Sequence, residues 1–295
     1  MNAATIADFL GSTLHGDDIE VSGYGSLKSC KSGNLVFLRA LSQSNLDVLV
    51  STPDVLAIVP YLEEETILPV PYIESKNPRL DFIKAISRFF SHISIESGIH
   101  PSAIIEPGAD ITDDVSIGAG CYIGPHVKIG SGTVLMPNVS IYGDVTMGKD
   151  CYIKAGAVIG DTGDGFEYDE DGVPIYFPHS GRVIIGNNVY IGANTVIDRA
   201  TIDATIIEDN VKIANLTHIP HNCIIGRNTI ITSCVALGGG DIIGHNSWLA
   251  PNTTLYQHLV LGDNCKIGIG AVVLKNVDAN QTVFGNPARK VIKND

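Results

Sequence analysis

The chain has 295 residues, 44% of them apolar and only 6% aromatic, and its formal net charge is −13. This composition excludes a disordered chain, and the negative charge argues against binding to nucleic acid or to an anionic membrane surface. There is no basic leader before an apolar segment and no apolar run of about 18 residues, so we expect a cytoplasmic protein without a membrane span. The six cysteines include no CxxC pair, which favours reduced thiols and no metal site.

Residues 1–98 are predicted to form a small α/β domain. The apolar segments 33–38, 54–62 and 67–73 are typical of buried strands. A helix is predicted to begin at Asn77-Pro78, because proline is favoured at the first helical position and an apolar stripe follows it. Alternation of strands and helices indicates an α/β arrangement.

Residues 99–284 carry a repeat with a period of six. An apolar side chain recurs at every sixth residue from Ile105 to Ile159, and again from Ile185 to Val273, with two steps of five at Ile202 and Ile207. This period fits neither a helix nor a lone strand, and it predicts a mainly β solenoid with one inward apolar residue per unit. The pattern resembles the left-handed parallel β-helix of hexapeptide-repeat acyltransferases, in which three successive hexapeptides close one triangular coil.

An insertion at 161–182 interrupts the repeat and predicts an external loop. Its aromatic side chains, Phe166 and Tyr168 among them, are candidate ligand contacts. The alternative is a surface loop that packs only against itself.

Two histidines stand in the segment NLTHIPHNCIIG (215–226). His221 follows the inward Ile219 by two positions, so its side chain is expected at a coil corner and pointing outward. Gly239 follows His221 by three hexapeptides, which is one full coil, and it therefore lies directly above it. An imidazole beside an open backbone N–H suits acyl transfer, with a base and an oxyanion donor together. Isolated histidines such as His179 are assigned structural or solvated roles.

The segments 158–168, 181–203 and 215–226 resemble the UDP-3-O-(3-hydroxyacyl)glucosamine N-acyltransferases of lipid A synthesis, as do residues 12–27. This resemblance implies a uridine-binding N-terminal domain and a homotrimer with the donor groove between columns. The implied site has His221 as the base, Gly239 as the oxyanion donor and Phe37 stacked on uracil. The family's second stacking residue, a tyrosine, is Gln43 here.

Other residues are assigned around this site. His218 and Asn222 are predicted to contact the acceptor substrate. Asp198 and Asp203 are the candidate carboxylate partners of His221.

The C-terminal segment 270–295 instead resembles acetyl-CoA-dependent sugar acetyltransferases, and the lipid A family's helical extension has no counterpart in it. The residues expected to hold the phosphates of coenzyme A, within or beside the tail 285–295, are Lys275, Asn286, Arg289 and Lys290, with Lys293 adding charge. The main prediction is therefore N-acyl transfer from acetyl-CoA to a nucleotide-linked amino sugar in surface polysaccharide or lipopolysaccharide synthesis, with no permanently bound cofactor. The alternative is a lipid A-type enzyme that uses a 3-hydroxyacyl-acyl carrier protein.

Two other classes are less compatible with the sequence. A zinc hydrase like the γ-class carbonic anhydrases needs a further histidine where this chain has Gly226. A non-catalytic β-helix binding module would leave the pairing of His221 with Gly239 unexplained.

Overall fold

The computed structural model describes residues 1–63, 66–90 and 97–291. The chain divides into two compact units, Met1–Ser94 and Ile95–Asp295. The predicted boundary at 98 is a few positions late, because Gly98–Ile99 already pairs with Ser116–Ile117 of the second unit.

The first unit is the predicted α/β domain. Its helices are α1 (Ala3–Leu10), α2 (Gln43–Ser51) and α3 (Pro78–Phe89), with a short 3-10 turn at Leu27–Ser29. Its strands are β1 (Leu14–His15), β2 (Gly23–Tyr24), β3 (Asn34–Phe37), β4 (Leu56–Val59) and β5 (Tyr72–Glu74). They form one sheet in the order β1-β5-β4-β3-β2, parallel except for β1.

The helix α3 begins where the sequence predicts. The Asn77 side chain accepts a hydrogen bond from the Leu80 N–H, and Pro78 occupies the first turn. This cap satisfies a backbone donor that the helix itself leaves free. Phe82 then packs in the apolar cluster on one face of the sheet, with Ile58 and Ile73.

The second unit is a parallel β-solenoid, which confirms the fold predicted from the six-residue period. Three sheets run along it. The strands of the first sheet are Gly98–Ile99, Ser116–Ile117, Val134–Leu135, Tyr152–Ile153, Tyr190–Ile191, Lys212–Ile213, Ile230–Ile231, Trp248–Leu249, Lys266–Ile267, Thr282–Phe284 and, antiparallel at the end, Arg289–Lys290.

The second sheet follows the first along each coil. Its strands are Ile104–Ile105, Tyr122–Ile123, Ser140–Ile141, Val158–Asp161, Val196–Asp198 and His218–Ile219, continued through a bridge at Ala236 to Thr254–Leu255 and Val272–Val273. The third sheet closes the coil. Its strands are Asp110–Ile111, Lys128–Ile129, Val145–Met147, Arg182–Ile185, Ala204–Ile207, Ile224–Ile225, Ile242–Ile243 and Val260–Leu261.

The inward aliphatic residues form one continuous core from Val115 to Val283. Each coil buries its apolar side chains only against its neighbours, so the column is stabilised by stacking. The insertion 161–182 forms an antiparallel hairpin, Phe166–Tyr168 with Pro174–Tyr176.

One coil departs from the predicted period. Ile202, expected to point inward, is 60% exposed. A coil of three hexapeptides would pair Val196 with Ala214, but the observed register pairs it with His218, so this coil is longer than the regular ones. The added length forms a loop over 199–203, where the backbone leaves the column.

Candidate active site

His221 lies at the corner between the second and third sheets, and Gly239 lies on it. The predicted stacking is confirmed, because a Cβ built on Gly239 would stand 2.6 Å from His221 Nε2 and 2.7 Å from Cε1. The Gly240 N–H also donates to the His221 carbonyl at 2.9 Å. Within the described residues the Gly239 N–H donates to no protein group. A base and a free backbone donor thus share one corner, which suits acyl transfer.

Asn222 holds the imidazole of His221, which the sequence did not predict. Its Oδ1 accepts from His221 Nδ1 at 3.1 Å and from the Thr201 N–H at 3.1 Å, while its Nδ2 donates to the Ile202 carbonyl at 2.9 Å. The backbone partners fix which end of the amide is oxygen, so Nδ1 of His221 carries the proton. Nε2 is then the basic nitrogen and faces Gly239.

The carboxylates predicted as partners of His221 are placed elsewhere. Asp198 is buried and binds His218, with 2.9 Å from Oδ2 to Nε2. That hydrogen bond raises the pKa of His218, partial burial lowers it, and the charges of Asp198 and Asp164 add to the rise. Asp203 is exposed and makes no hydrogen bond to His221. His221 therefore relies on an amide for its orientation, and His218 has the carboxylate.

The insertion adds a third imidazole, which sequence reasoning treats as structural. His179 is 7% exposed, and its ring meets that of His221 edge to face, with 5.3 Å between centroids. Its Nδ1 lies 2.8 Å from the Phe177 carbonyl and so carries a proton, while the buried Nε2 has no partner in the described residues. No spacing rule connects positions 179 and 221, since the hairpin makes the contact.

Phe166 and Tyr168 lie on the exposed strand of the hairpin, 63% and 71% exposed. Phe166 packs edge to face against Tyr176, whose hydroxyl lies 3.2 Å from His179 Nδ1. Phe166, predicted as a ligand contact, is thus linked through Tyr176 to His179, whose ring packs against His221.

In the first unit, Phe37 is half-buried at the end of β3. Its ring centroid lies 5.0 Å from that of Phe82 in α3. Gln43, at the position of the family's second stacking residue, begins α2 and donates to Asp47. Phe37 is therefore part of the domain's packing and also partly open to solvent.

The residues predicted to hold the donor's phosphates gather at the end of the solenoid. Lys275, Arg289 and Lys290 line one cavity of about 540 Å³ together with Pro287. Asn286 does not line it but precedes Pro287 through a cis peptide bond. Lys293 lies outside the described residues.

Within the described ranges, no three or more of His, Cys, Asp and Glu are arranged to hold a metal ion. Nor does the described part of the chain contain a helix long and apolar enough to cross a membrane.

Comparison with known proteins defines the class. Residues 96–130, 126–161 and 204–239 match the family described as "Bacterial transferase hexapeptide (six repeats)". The solved structure of a UDP-N-acetylglucosamine acyltransferase superposes with a TM-score of 0.60 at 30% identity, covering 66% of this chain and 73% of that one. The enzyme of that name from Campylobacter jejuni gives 0.60 at 28% identity, covering 66% and 74%. The protein is a hexapeptide-repeat acyltransferase.

Its relatives narrow the class further. The UDP-3-O-acylglucosamine N-acyltransferase of Herminiimonas arsenicoxydans is 32% identical over 92% of this chain and 84% of its own length. Its counterpart from Methylobacillus flagellatus is 33% identical over 92% and 82%. The chain belongs to the family of UDP-3-O-acylglucosamine N-acyltransferases.

Proposed function

We propose that this enzyme transfers an acyl group from a thioester to the amine of a UDP-linked 3-O-acylglucosamine or a close analogue. The observation that carries the proposal is the contact between His221 Nε2 and Gly239, with the Gly239 N–H free of protein partners among the described residues. The main prediction from the sequence is transfer from acetyl-CoA to a nucleotide-linked amino sugar. The names of the relatives instead favour the alternative, a lipid A-type reaction on UDP-3-O-acylglucosamine.

The reaction follows from the groups at the corner. The sugar amine attacks the thioester carbonyl while His221 Nε2 takes a proton from the nitrogen. The Gly239 N–H donates to the oxyanion as the C–N bond forms, an interaction worth about 3–4 kcal/mol where it has been removed in other enzymes. When the C–S bond breaks, the imidazolium returns the proton to the thiolate, and amide and thiol leave.

Asn222 supports this cycle without charge. Its Oδ1 keeps the proton on His221 Nδ1 and leaves Nε2 free to act as a base. The amide itself is held by Thr201 and the Ile202 carbonyl, so little reorganisation is needed when the imidazole becomes charged.

A homotrimer completes the site in this proposal. Outward aliphatic residues stack along the third sheet beside the His221 corner, and we call them the third-sheet stripe. They are Ile184, Ile206, Ile224, Ile242 and Val260. Ile242 and Val260 are 40% and 44% exposed. A neighbouring column on this stripe would bury it and wall the donor groove.

Two acyl donors are candidates for this reaction. A 3-hydroxyacyl-acyl carrier protein is the donor implied by the lipid A resemblance. Acetyl-CoA is the second candidate, supported by the cavity that Lys275, Arg289 and Lys290 line, since clustered cations suit phosphate groups.

The test is turnover by the purified full-length chain. UDP-3-O-acylglucosamine, UDP-glucosamine and dTDP-linked amino sugars are each offered with 3-hydroxyacyl-acyl carrier protein and with acetyl-CoA, and thiol release is measured. We expect amide formation on UDP-3-O-acylglucosamine and a loss of about 10²–10⁴ in His221→Ala, the range of general-base catalysis. Near-normal turnover by His221→Ala would overturn the proposal.

A further inference from the structure

A buried carboxylate holds the turn that carries Gly239. Asp241 is 0% exposed, and both of its oxygens accept backbone hydrogen bonds. Oδ2 accepts from the Gly238 N–H and Oδ1 from the Leu259 N–H, each at 2.8 Å. Buried carboxylates are costly unless they are paired in this way.

Asp241 is the residue directly before a strand, and at other corners of the column the residue directly before the strand carries a hydroxyl. Thr229 accepts from the Ser247 N–H one coil above, and Ser247 accepts from the Cys265 N–H, each at 3.0 Å. Both hydroxyls also donate to a carbonyl of the next coil. Asp241 makes the same bond to the coil above, to Leu259, but it has no proton to donate when ionised and binds the Gly238 N–H in its place.

The carboxylate bond holds the Leu237–Gly238 peptide, which comes directly before the Gly238–Gly239 peptide in the turn. The backbone of Asp241 holds the other side of Gly238. The Gly238 carbonyl accepts from the Asp241 N–H and from Cys223 Sγ, each at 3.3 Å. A trans peptide directs its N–H opposite to its carbonyl. Because that carbonyl is tied to the Asp241 N–H and to the buried Cys223 thiol, the Gly239 N–H points away from both groups.

We propose that Asp241 is a positioning residue, whose carboxylate fixes the Gly238 end of the turn and so aims the Gly239 N–H at the oxyanion. This inference rests on the proposed function, since it takes Gly239 as the oxyanion donor. Asp241 does not touch the substrate in this role. It acts through Gly238, because its carboxylate holds the Gly238 N–H and its own backbone N–H holds the Gly238 carbonyl.

The hydrogen bond from Gly238 depends on the negative charge of Asp241. Burial raises the pKa of Asp241 to about 6, while its bonds from Leu259 and Gly238 and the charge of His258 lower it. The titratable side chains that face the turn are the His221 ring against Gly239, the His258 ring against Gly240 and the Cys223 thiol, whose pKa burial raises to about 12. A protonated Asp241 loses an acceptor, so the hold on Gly238 weakens as the pH falls through about 6.

Asp241→Thr is the sharpest test, because a hydroxyl fills this position at other corners of the column, as at Thr229. It keeps the bond from Leu259 and loses the bond from Gly238. We expect a folded variant whose kcat is lowered about 10-fold or more. This loss is smaller than the loss of about 10²–10³-fold that follows when an oxyanion donor is removed. Both KM values should stay within about twofold, because the donor acts on the transition state. The acid limb of its kcat profile should be less steep than that of the wild type.

Hydrogen exchange provides a readout that does not depend on the substrate. Amides of 238–240 should exchange faster in Asp241→Thr, while those of the third-sheet strands keep their protection. Thr229→Val is the stability control, since it removes a buried side-chain hydrogen bond to a backbone N–H away from the His221 corner. It should lower Tm and leave kcat unchanged.

Two outcomes would overturn the inference. One is unchanged exchange at 238–240 in Asp241→Thr. The other is a wild-type kcat and pH profile in that variant while His221→Ala is inactive. Full activity of His221→Ala would count against the proposed function, and the exchange result would still decide the role of Asp241.

Discussion

His221 and Gly239 are in direct contact across one coil, so that a Cβ on residue 239 would stand 2.6 Å from Nε2. Only glycine allows the imidazole and the backbone N–H to share this corner. The first prediction follows from that contact. Gly239→Ala should push the imidazole aside and lower kcat by about 10²-fold, the scale of losing an oxyanion donor.

The control for Gly239→Ala is Gly124→Ala. At Gly124 a Cβ would find its nearest neighbour, the Ile141 carbonyl oxygen, at 3.3 Å. This variant should keep kcat, measured by thiol release with circular dichroism alongside. Equal loss in both variants would mean that the column merely tolerates alanine poorly.

Asn222 sets the tautomer of His221 with a neutral amide, which predicts a pH effect. In Asn222→Asp an ionised carboxylate would face Nδ1 and favour the imidazolium. The acid limb of the kcat/KM profile should therefore move to higher pH. Asn222→Ala should lower kcat roughly 10-fold without that movement, because the imidazole loses its orientation but gains no charge beside it. An unmoved acid limb in Asn222→Asp would contradict the assigned contact.

The bond between Asp198 and His218 predicts how stability depends on pH. Because the pKa of His218 is raised in the folded chain, the stabilisation is complete below its unfolded value of about 6.5. It is lost as the pH rises through the folded value. The unfolding free energies of wild type and Asp198→Asn should converge over that window, as chemical denaturation at a series of pH values would show. A constant difference would mean that His218 does not titrate against Asp198.

The third-sheet stripe predicts the effect of a charge on assembly. Ile242→Arg, at an exposed residue of this stripe, should prevent the proposed trimer from forming and abolish turnover at low protein concentration. Ile269→Arg, at a residue 71% exposed and outside the stripe, should leave both unchanged. An active wild-type monomer in sedimentation velocity would refute the trimer.

Phe37 has two possible roles, which one substitution separates. Phe37→Ala is expected to raise KM for the sugar nucleotide about 10-fold, since stacking on a base is worth about 1–3 kcal/mol. KM for the thioester should not change. Phe82→Leu, which alters the ring that Phe37 packs on, should cost stability without changing either KM. If Phe37→Ala lowers Tm and leaves the nucleotide KM unchanged, then the residue is only part of the core.

The sequence alone predicts a large part of this protein. The six-residue period predicts the column, and the α/β character of residues 1–98 follows from its apolar segments, although α2 was not predicted. The contact of His221 with Gly239 follows from that period together with the coil of three hexapeptides that the family resemblance implies. Strand pairing in the regular coils has this spacing, as where Ile242 pairs with Ile224. Two residues that are one regular coil apart therefore stack on each other, and this does not depend on the residues around them.

Only the tertiary structure decided the partners of the imidazoles. The longer, irregular coil carries Thr201 to Asn222 and Asp198 to His218. The hairpin brings His179 to His221. These contacts arise where the chain leaves the repeat, so no period relates the residues that meet there. The role of Asp241 could not be predicted from the sequence for a related reason. Its sequence context is that of an ordinary turn, and only the burial of its carboxylate among the Gly238 and Leu259 amides shows what it holds.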